Sequence, residues 1–250
     1  MKADKRCFCG SRKAHRFCHY DVAQNSKYAN AYREYLRLNK FCKNKGVGNI
    51  CIENCCQCCN DYFYVSENEF LLVLDYIIRK NLDLASYISK ANEYRGWFSQ
   101  AYPSESAKIE SLMPSYIGED SFTRTQEYFN DENIDHARQC IFLERGTCNI
   151  YEVRPLLCRG YGSIFPCRLL DNKDLRPEID LGAISARIQM IGTDGDIINK
   201  RPYPMFYWLS EFLNEKYRDT TMIKLKKFKE LSEKDYQLFS LRRIQTVTTR

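Results

Sequence analysis

Residues 51–59, CIENCCQCC, place five cysteines in nine positions. They belong to a chain whose thirteen cysteines are grouped rather than scattered. Cys7, Cys9 and Cys18 form one group, Cys51, Cys55, Cys56, Cys58 and Cys59 a second, and Cys140, Cys148, Cys158 and Cys167 a third. Cys42 stands apart, and residues 60–139 contain none. An odd count fits a closed disulfide framework poorly. The opening MKADKRCFCG has charge but lacks the apolar centre of a secretory signal, so the expected location is the cytoplasm. Thiols stay reduced there, and clustered thiols then read as metal ligands. A chain carrying such clusters must fold so that each set of sulfurs meets at one point.

The bulk composition restricts the setting. The chain of 250 residues is 44% hydrophobic and 28% charged, which is ordinary for a globular protein. Its 14% aromatic content, with 18 tyrosines, argues against disorder. No apolar run approaches the roughly 18 residues of a membrane span. The net charge of +6 is uneven, because residues 1–50 carry 12 basic and 3 acidic side chains and residues 216–250 carry 10 and 4. Basic ends on an acidic centre suit either an anionic partner or two solvated helix faces.

The apolar pattern predicts a mainly α fold with a small β-hairpin: a cysteine-rich metal-binding domain plus a small N-terminal zinc knuckle. Helices are expected over 25–42, from 66 onward, near 83–98 and 105–113, and over 178–192, 204–217 and 221–245. Ser66-Glu-Asn-Glu69 reads as a capping box opening the apolar helix FLLVLDYIIRK. Glu144-Arg-Gly-Thr147 reads as a hairpin turn in which Gly146 takes a positive φ. Pro155 fits the first turn of a short helix. The domain reading is a knuckle over 1–22, a helix and linker over 23–49 with KNKGVGN as the boundary, a cysteine-cluster domain over 50–215, and a basic helical segment over 216–250.

Within the knuckle, CFCGSRKAHRFCH has the spacing C-x-C-x8-C-H. Zinc takes four soft ligands in a tetrahedron, and three thiolates with one imidazole supply them. Cys7 and Cys9 offer two sulfurs from one tight loop, while Cys18 and His19 close the site from the other side. His15 reads as a surface residue rather than a ligand. This stretch resembles the SEC-C motif, a short zinc knuckle appended to many bacterial proteins. The resemblance covers about 15 residues, with Cys7, Cys9, Cys18 and His19 at the ligand positions and Gly10, Ser11 and Lys13 in the flank. It implies a docking module, and the basic Lys5, Arg6, Arg12, Lys13 and Arg16 suit that role. The expected partner is another protein. Nucleic acid at the basic ends is possible but less favoured, because aromatic and basic residues are not interleaved as in known readers.

In the central cluster, Cys55 with Cys58 and Cys56 with Cys59 both make C-x2-C pairs, each able to direct two thiolates onto one ion or one cluster edge. Two interleaved pairs do not all reach one tetrahedral centre. The third group lies on the predicted hairpin, the short helix and the loop after it, and could supply further ligands. Cys148-Asn-Ile-Tyr-Glu-Val-Arg-Pro-Leu-Leu-Cys158-Arg, with Cys140 before it and Cys167 after it, resembles the second half of the YkgJ-type (CxxCxxCC) cysteine-cluster family, and CIENCCQCC resembles the first half. The resemblance spans about 51–170. It implies zinc or iron chelation by Cys51, Cys55, Cys58, Cys59, Cys140, Cys148, Cys158 and Cys167. One relative in that family carries an iron–sulfur cluster, which inclines the reading toward iron–sulfur over zinc here. The match departs from the family pattern at Cys51, one residue early, and at Cys56, an extra thiol. Cys42 matches nothing and reads as a buried thiol.

Arg154 and Arg159 lie beside ligand Cys158 in sequence. They could hold an anionic substrate or offset thiolate charge, and Arg154 could instead pair with Glu144 or Glu152. Tyr161 is close to the same ligand, and His136 reads as structural. There is no GxGxxG, P-loop, HExxH or nucleophile elbow. Cys51, Cys55 and Cys58 have the C-x3-C-x2-C spacing of radical-SAM enzymes, without the βα-barrel pattern that should surround it. The functional expectation is a metal-binding cysteine-cluster protein, iron–sulfur in the first reading and modifying a protein or peptide if it is an enzyme. The alternative is a zinc-stabilised interaction adaptor without catalysis.

Overall fold

The computed structural model describes residues 5–44, 59, 64–111, 138–161 and 203–239. The N-terminal knuckle leads into α1 (Lys27–Asn44). Strand β1 (Tyr64–Val65), α2 (Glu67–Arg79), α3 (Leu84–Ala101) and α4 (Pro103–Ser111) follow. Next come the hairpin β2 (Leu143–Glu144) and β3 (Thr147–Cys148), and then α5 (Leu156–Tyr161). Strand β4 (Tyr203–Pro204), α6 (Met205–Phe212) and α7 (Arg218–Glu230) complete the set, with a last helical stretch over 233–239. The fold is mainly α with small antiparallel strand pairs, as the apolar pattern predicted.

The most apolar helix, α2, is the axis of the core. Leu71, Leu72, Val73, Leu74 and Ile77 are all at 0% exposure. A helix apolar on nearly every side has to be surrounded, and α1, α6 and α7 all pack on it. The capping box forms as read: Glu69 N–H reaches Ser66 Oγ at 3.3 Å, and Ser66 N–H reaches Glu69 Oε2 at 3.1 Å. On the far side α3 lies along α6, joined by Tyr94 stacked on Phe206 at 4.4 Å. Trp208 of α6 stacks on Phe70 and donates its indole N–H to Val65 O at 2.6 Å, which ties the β1–β4 pair to α2.

The hairpin register is Leu143 opposite Cys148 and Glu144 opposite Thr147. Both central residues have positive φ, Arg145 at 51° and Gly146 at 75°, the type I′ geometry that matches strand twist. Pro155 sits one residue before α5 and accepts from Arg159 N–H at 2.9 Å.

Two helices differ from expectation. The segment expected over 204–217 is helical only through Phe212. The helix expected over 221–245 stops at Glu230, where Leu231 is extended at φ −86° and ψ 143°. Ser232 then caps the next stretch, accepting from Asp235 N–H at 3.3 Å. The break has a tertiary cause, since the chain entering α1 crosses here: Ala23 N–H donates to Lys229 O and Lys27 N–H to Leu231 O. The expected helix over 178–192 and the linker beyond residue 44 lie outside the described residues. Among those described, one hydrophobic core runs from Cys7 and Phe8 through α1, α2, α3 and α6 to Tyr236, so the knuckle and the C-terminal helices share it.

Candidate metal centre

The knuckle is built by a short antiparallel contact and a single 3-10 turn. Arg6 bridges Ala14, Cys7 N–H donates to Lys13 O at 2.9 Å, and His15 N–H donates to Lys5 O at 3.0 Å. Gly10, at φ 77°, closes the loop between the first two thiols. A Cβ there would lie 3.3 Å from Leu36 Cδ1, so glycine also allows the loop to seat on α1. The turn His15–Phe17 then directs Cys18 and His19 back toward Cys7 and Cys9.

The result is a four-atom cage. The ligand atoms of Cys7, Cys9, Cys18 and His19 all lie within 4.8 Å of one another. Cys7 Sγ and Cys18 Sγ are each 3.2 Å from His19 Nδ1, and Cys9 Sγ is 3.4 Å from Cys18 Sγ. Zinc bound tetrahedrally to three sulfurs and a nitrogen spaces its ligand atoms about 3.5–3.8 Å apart, which lies between the short contacts of the cage and its 4.8 Å bound. This group can hold a metal ion. Nδ1 is the ring nitrogen that faces two of the sulfurs and would ligate such an ion.

The electrostatics suit ligation. Burial, aided by the Arg79 charge, lowers His19 to about 4, so its imidazole is neutral and its lone pair available near pH 7. Burial drives Cys7 up to about 12 in the metal-free cage, and a cation must displace that proton on binding. Cys9 is also pushed up by burial, but hydrogen bonds from Ser11 and the neighbouring thiols outweigh this and hold it below the usual thiol range. His15 is not a ligand, and it is half-buried rather than a surface residue. Its Nε2 lies 2.8 Å from Val22 O, an acceptor, so Nε2 carries the proton.

The support beneath the cage has no local sequence signal. Phe8, between the first two ligands, is buried against His19 at 4.9 Å and edge-on to Tyr28 and Tyr32 at 5.9 Å each. Below His19 lies a closed ring of charges: Arg79 and Lys229 each bridge Asp21 and Asp75. Tyr28 adds its hydroxyl to Asp75 at 2.7 Å. Asp21 belongs to the knuckle, Asp75 and Arg79 to α2, and Lys229 to α7, so the ring fastens three segments together.

The central cysteines are only partly described. Cys59 is buried, and its carbonyl accepts from Cys140 N–H at 2.6 Å. This bond joins the end of the second cysteine group to the start of the third across 81 residues. Cys140 and Cys148 are half-buried at the hairpin and Cys158 is half-buried on α5. Among the described residues these four do not gather three ligand atoms at one point. Cys51, Cys55, Cys56, Cys58, Cys167 and His136, and the side chains of Cys42 and Tyr161, lie outside the described set.

Arg154 and Arg159 are buried, at 3% and 6% exposure. Arg159 donates Nε to Arg154 O at 2.8 Å, one terminal nitrogen to Glu152 O and the other toward Asn39, with its guanidinium 4.2 Å over Tyr35. That arrangement braces the Glu152–Arg154 turn and α5 against α1. Arg154 lies 4.1 Å over Tyr151. The carboxylates considered as its partners are engaged elsewhere, Glu144 with Lys90 and Glu152 with Lys80.

Comparison of the chain with models of known protein families, with curated proteins and with solved structures found no match.

Proposed function

We propose that this protein is a metal-binding cysteine-cluster protein whose knuckle holds a structural zinc ion. The observation that carries the reading is the convergence of four ligand atoms within 4.8 Å, three sulfurs and one nitrogen. Three thiolates and one imidazole match the closed ligand set of structural zinc sites, with no position left for substrate. The zinc would fix residues 5–20 on α1 and act as a fold element rather than as a reaction centre. The test is metal analysis of protein purified without added metal. One zinc per chain attributable to the knuckle is expected, and Cys18→Ser should remove it. Retention of that zinc in Cys18→Ser would refute the assignment.

A second metal centre, formed by the central and third cysteine groups, is supported by the Cys59–Cys140 backbone bond. We read it as an iron–sulfur site, in line with the resemblance of 51–170. Anaerobic purification should then give a broad visible absorption band with iron and inorganic sulfide, lost in both Cys58→Ala and Cys158→Ala. A colourless protein with additional zinc in place of iron would convert the reading to a zinc-stabilised adaptor.

A further inference from the structure

The two most exposed large apolar side chains in the described structure both lie on the knuckle. Phe17 is 71% exposed and Tyr20 is 77%, whereas the next, Ile223 and Leu238, stand at 45%. Single exposed apolar residues are ordinary. Two such aromatic rings three residues apart on one loop call for an explanation. They bracket the ligand pair Cys18 and His19, so a bound metal fixes the backbone that presents them.

Among the described charged side chains of the knuckle five are basic and one, Asp21, is acidic. Lys5, Arg6, Arg12 and Lys13 are exposed, and no described carboxylate pairs with any of them. Arg16 places its guanidinium 4.6 Å over the Phe17 ring. The one described acid of the knuckle, Asp21, is held by Arg79 and Lys229. Within the knuckle the basic and aromatic residues already alternate along the sequence, with Phe8 between Arg6 and Arg12 and Arg16 beside Phe17. The Arg6–Ala14 bridge and the bond from His15 N–H to Lys5 O then lay the backbone of Lys5 and Arg6 beside the turn carrying Arg16 and Phe17.

We infer that this face of the knuckle binds single-stranded nucleic acid, with Phe17 and Tyr20 as stacking platforms and Lys5, Arg6, Arg12 and Lys13 on the phosphates. Single strands are held by cationic surfaces that follow the backbone and by open aromatic faces on which bases stack. Duplex is a poorer fit, because the one helical turn among the described residues of the knuckle spans three residues and cannot fill a major groove. An acidic protein segment can also match the charges and pack on the rings, so poly-glutamate is the competing ligand in the test.

The inference deepens the zinc reading and rests on it, so zinc content is measured alongside binding. The experiment is fluorescence anisotropy of the full chain with labelled 15-nucleotide rU and dT oligomers, a duplex of the same length and a poly-glutamate peptide. The zinc-loaded protein should bind the single strands at micromolar concentration, more tightly than duplex or peptide. Phe17→Ala and Tyr20→Ala should each weaken binding roughly fivefold or more while keeping full zinc. With four phosphate contacts, the slope of log affinity against log salt should be about −2 to −3, and shallower in Arg12→Ala. The rU and dT arms distinguish RNA from DNA. A zinc-replete chain with no oligonucleotide binding up to about 100 μM, the weak limit of non-specific contact, would overturn the inference. So would undiminished affinity in the double ring variant, or tighter binding to poly-glutamate. Absence of zinc would instead overturn the proposed function.

Discussion

Glu69 shows how one side chain can serve two helices. Its carboxylate accepts from Ser66 N–H and Ser66 Oγ at the start of α2, from Tyr35 OH on α1, and from Leu156 N–H at the start of α5 at 2.7 Å. It therefore also positions the helix that carries Cys158. Glu69→Ala should lower the unfolding free energy in urea by about 2–4 kcal/mol, combining a lost cap with buried donors left unsatisfied. Ser66→Ala should cost only about 1 kcal/mol, since it removes the local cap alone. Equal losses for the two would show that the α5 contact contributes nothing. Gly10 is a second test at this scale. Gly10→Ala adds a left-handed strain of about 1–2 kcal/mol and presses on Leu36, so it should destabilise the chain and weaken zinc retention together. The capping box was legible because both partners lie within four residues. The bond to Leu156 was not, because 87 residues separate the pair.

The same contrast governs the elements. The knuckle spacing, the apolar α2 and the type I′ hairpin could be read from local pattern, because ligand spacing, periodicity and a Gly at a positive-φ position are local facts. The end of α7 at Glu230 could not be read, since the chain entering α1 imposes it from more than 200 residues away. The charge ring is invisible for the same reason, and it predicts a pH dependence. Burial pushes the Asp21 carboxyl up, but hydrogen bonds from Lys229 and Arg79 prevail and hold it at about 2, below its ordinary 3.8. A carboxyl depressed on folding stabilises the protein above its unfolded pKa, and that contribution fades as pH falls toward the folded value. Asp21 is partly exposed, so solvent screening limits the contribution to about 1 kcal/mol. Wild type should therefore exceed Asp21→Asn in stability by about that much above pH 4, and the gap should close between about pH 4 and 2. Measuring both proteins without metal removes the pH dependence of metal binding from the comparison. A gap that persists unchanged at pH 2 would mean that the ion pairs are not its source.

At the scale of the molecule, the question is whether the knuckle is an appendage or part of the fold. Its sequence suggests an appendage, because a C-x-C-x8-C-H unit can be recognised without its surroundings. Its packing makes it part of the fold. Cys7 and Phe8 belong to the same core as Tyr28, Phe70 and Phe228. Asp21 links α2 to α7, and the backbone between knuckle and α1 is hydrogen-bonded to Lys229 and Leu231. A metal that binds only the folded knuckle stabilises whatever unfolds with it, by about 4 kcal/mol when free metal is a thousandfold above its dissociation constant. For a chain of this size that corresponds to roughly 8–16 °C in Tm. If the knuckle holds a metal, removing it with a chelator should therefore lower the main unfolding transition of the whole protein by that order. Hydrogen exchange should show protection lost beyond residues 5–20, in the first turns of α1 and at the end of α7, where the knuckle is bonded. The central axis α2 should be the last to exchange, since its buried face does not depend on the metal. If chelation instead left Tm unchanged and confined the loss of protection to residues 5–20, the shared core would not couple the two, and the knuckle would be a separately folding unit resting on α1.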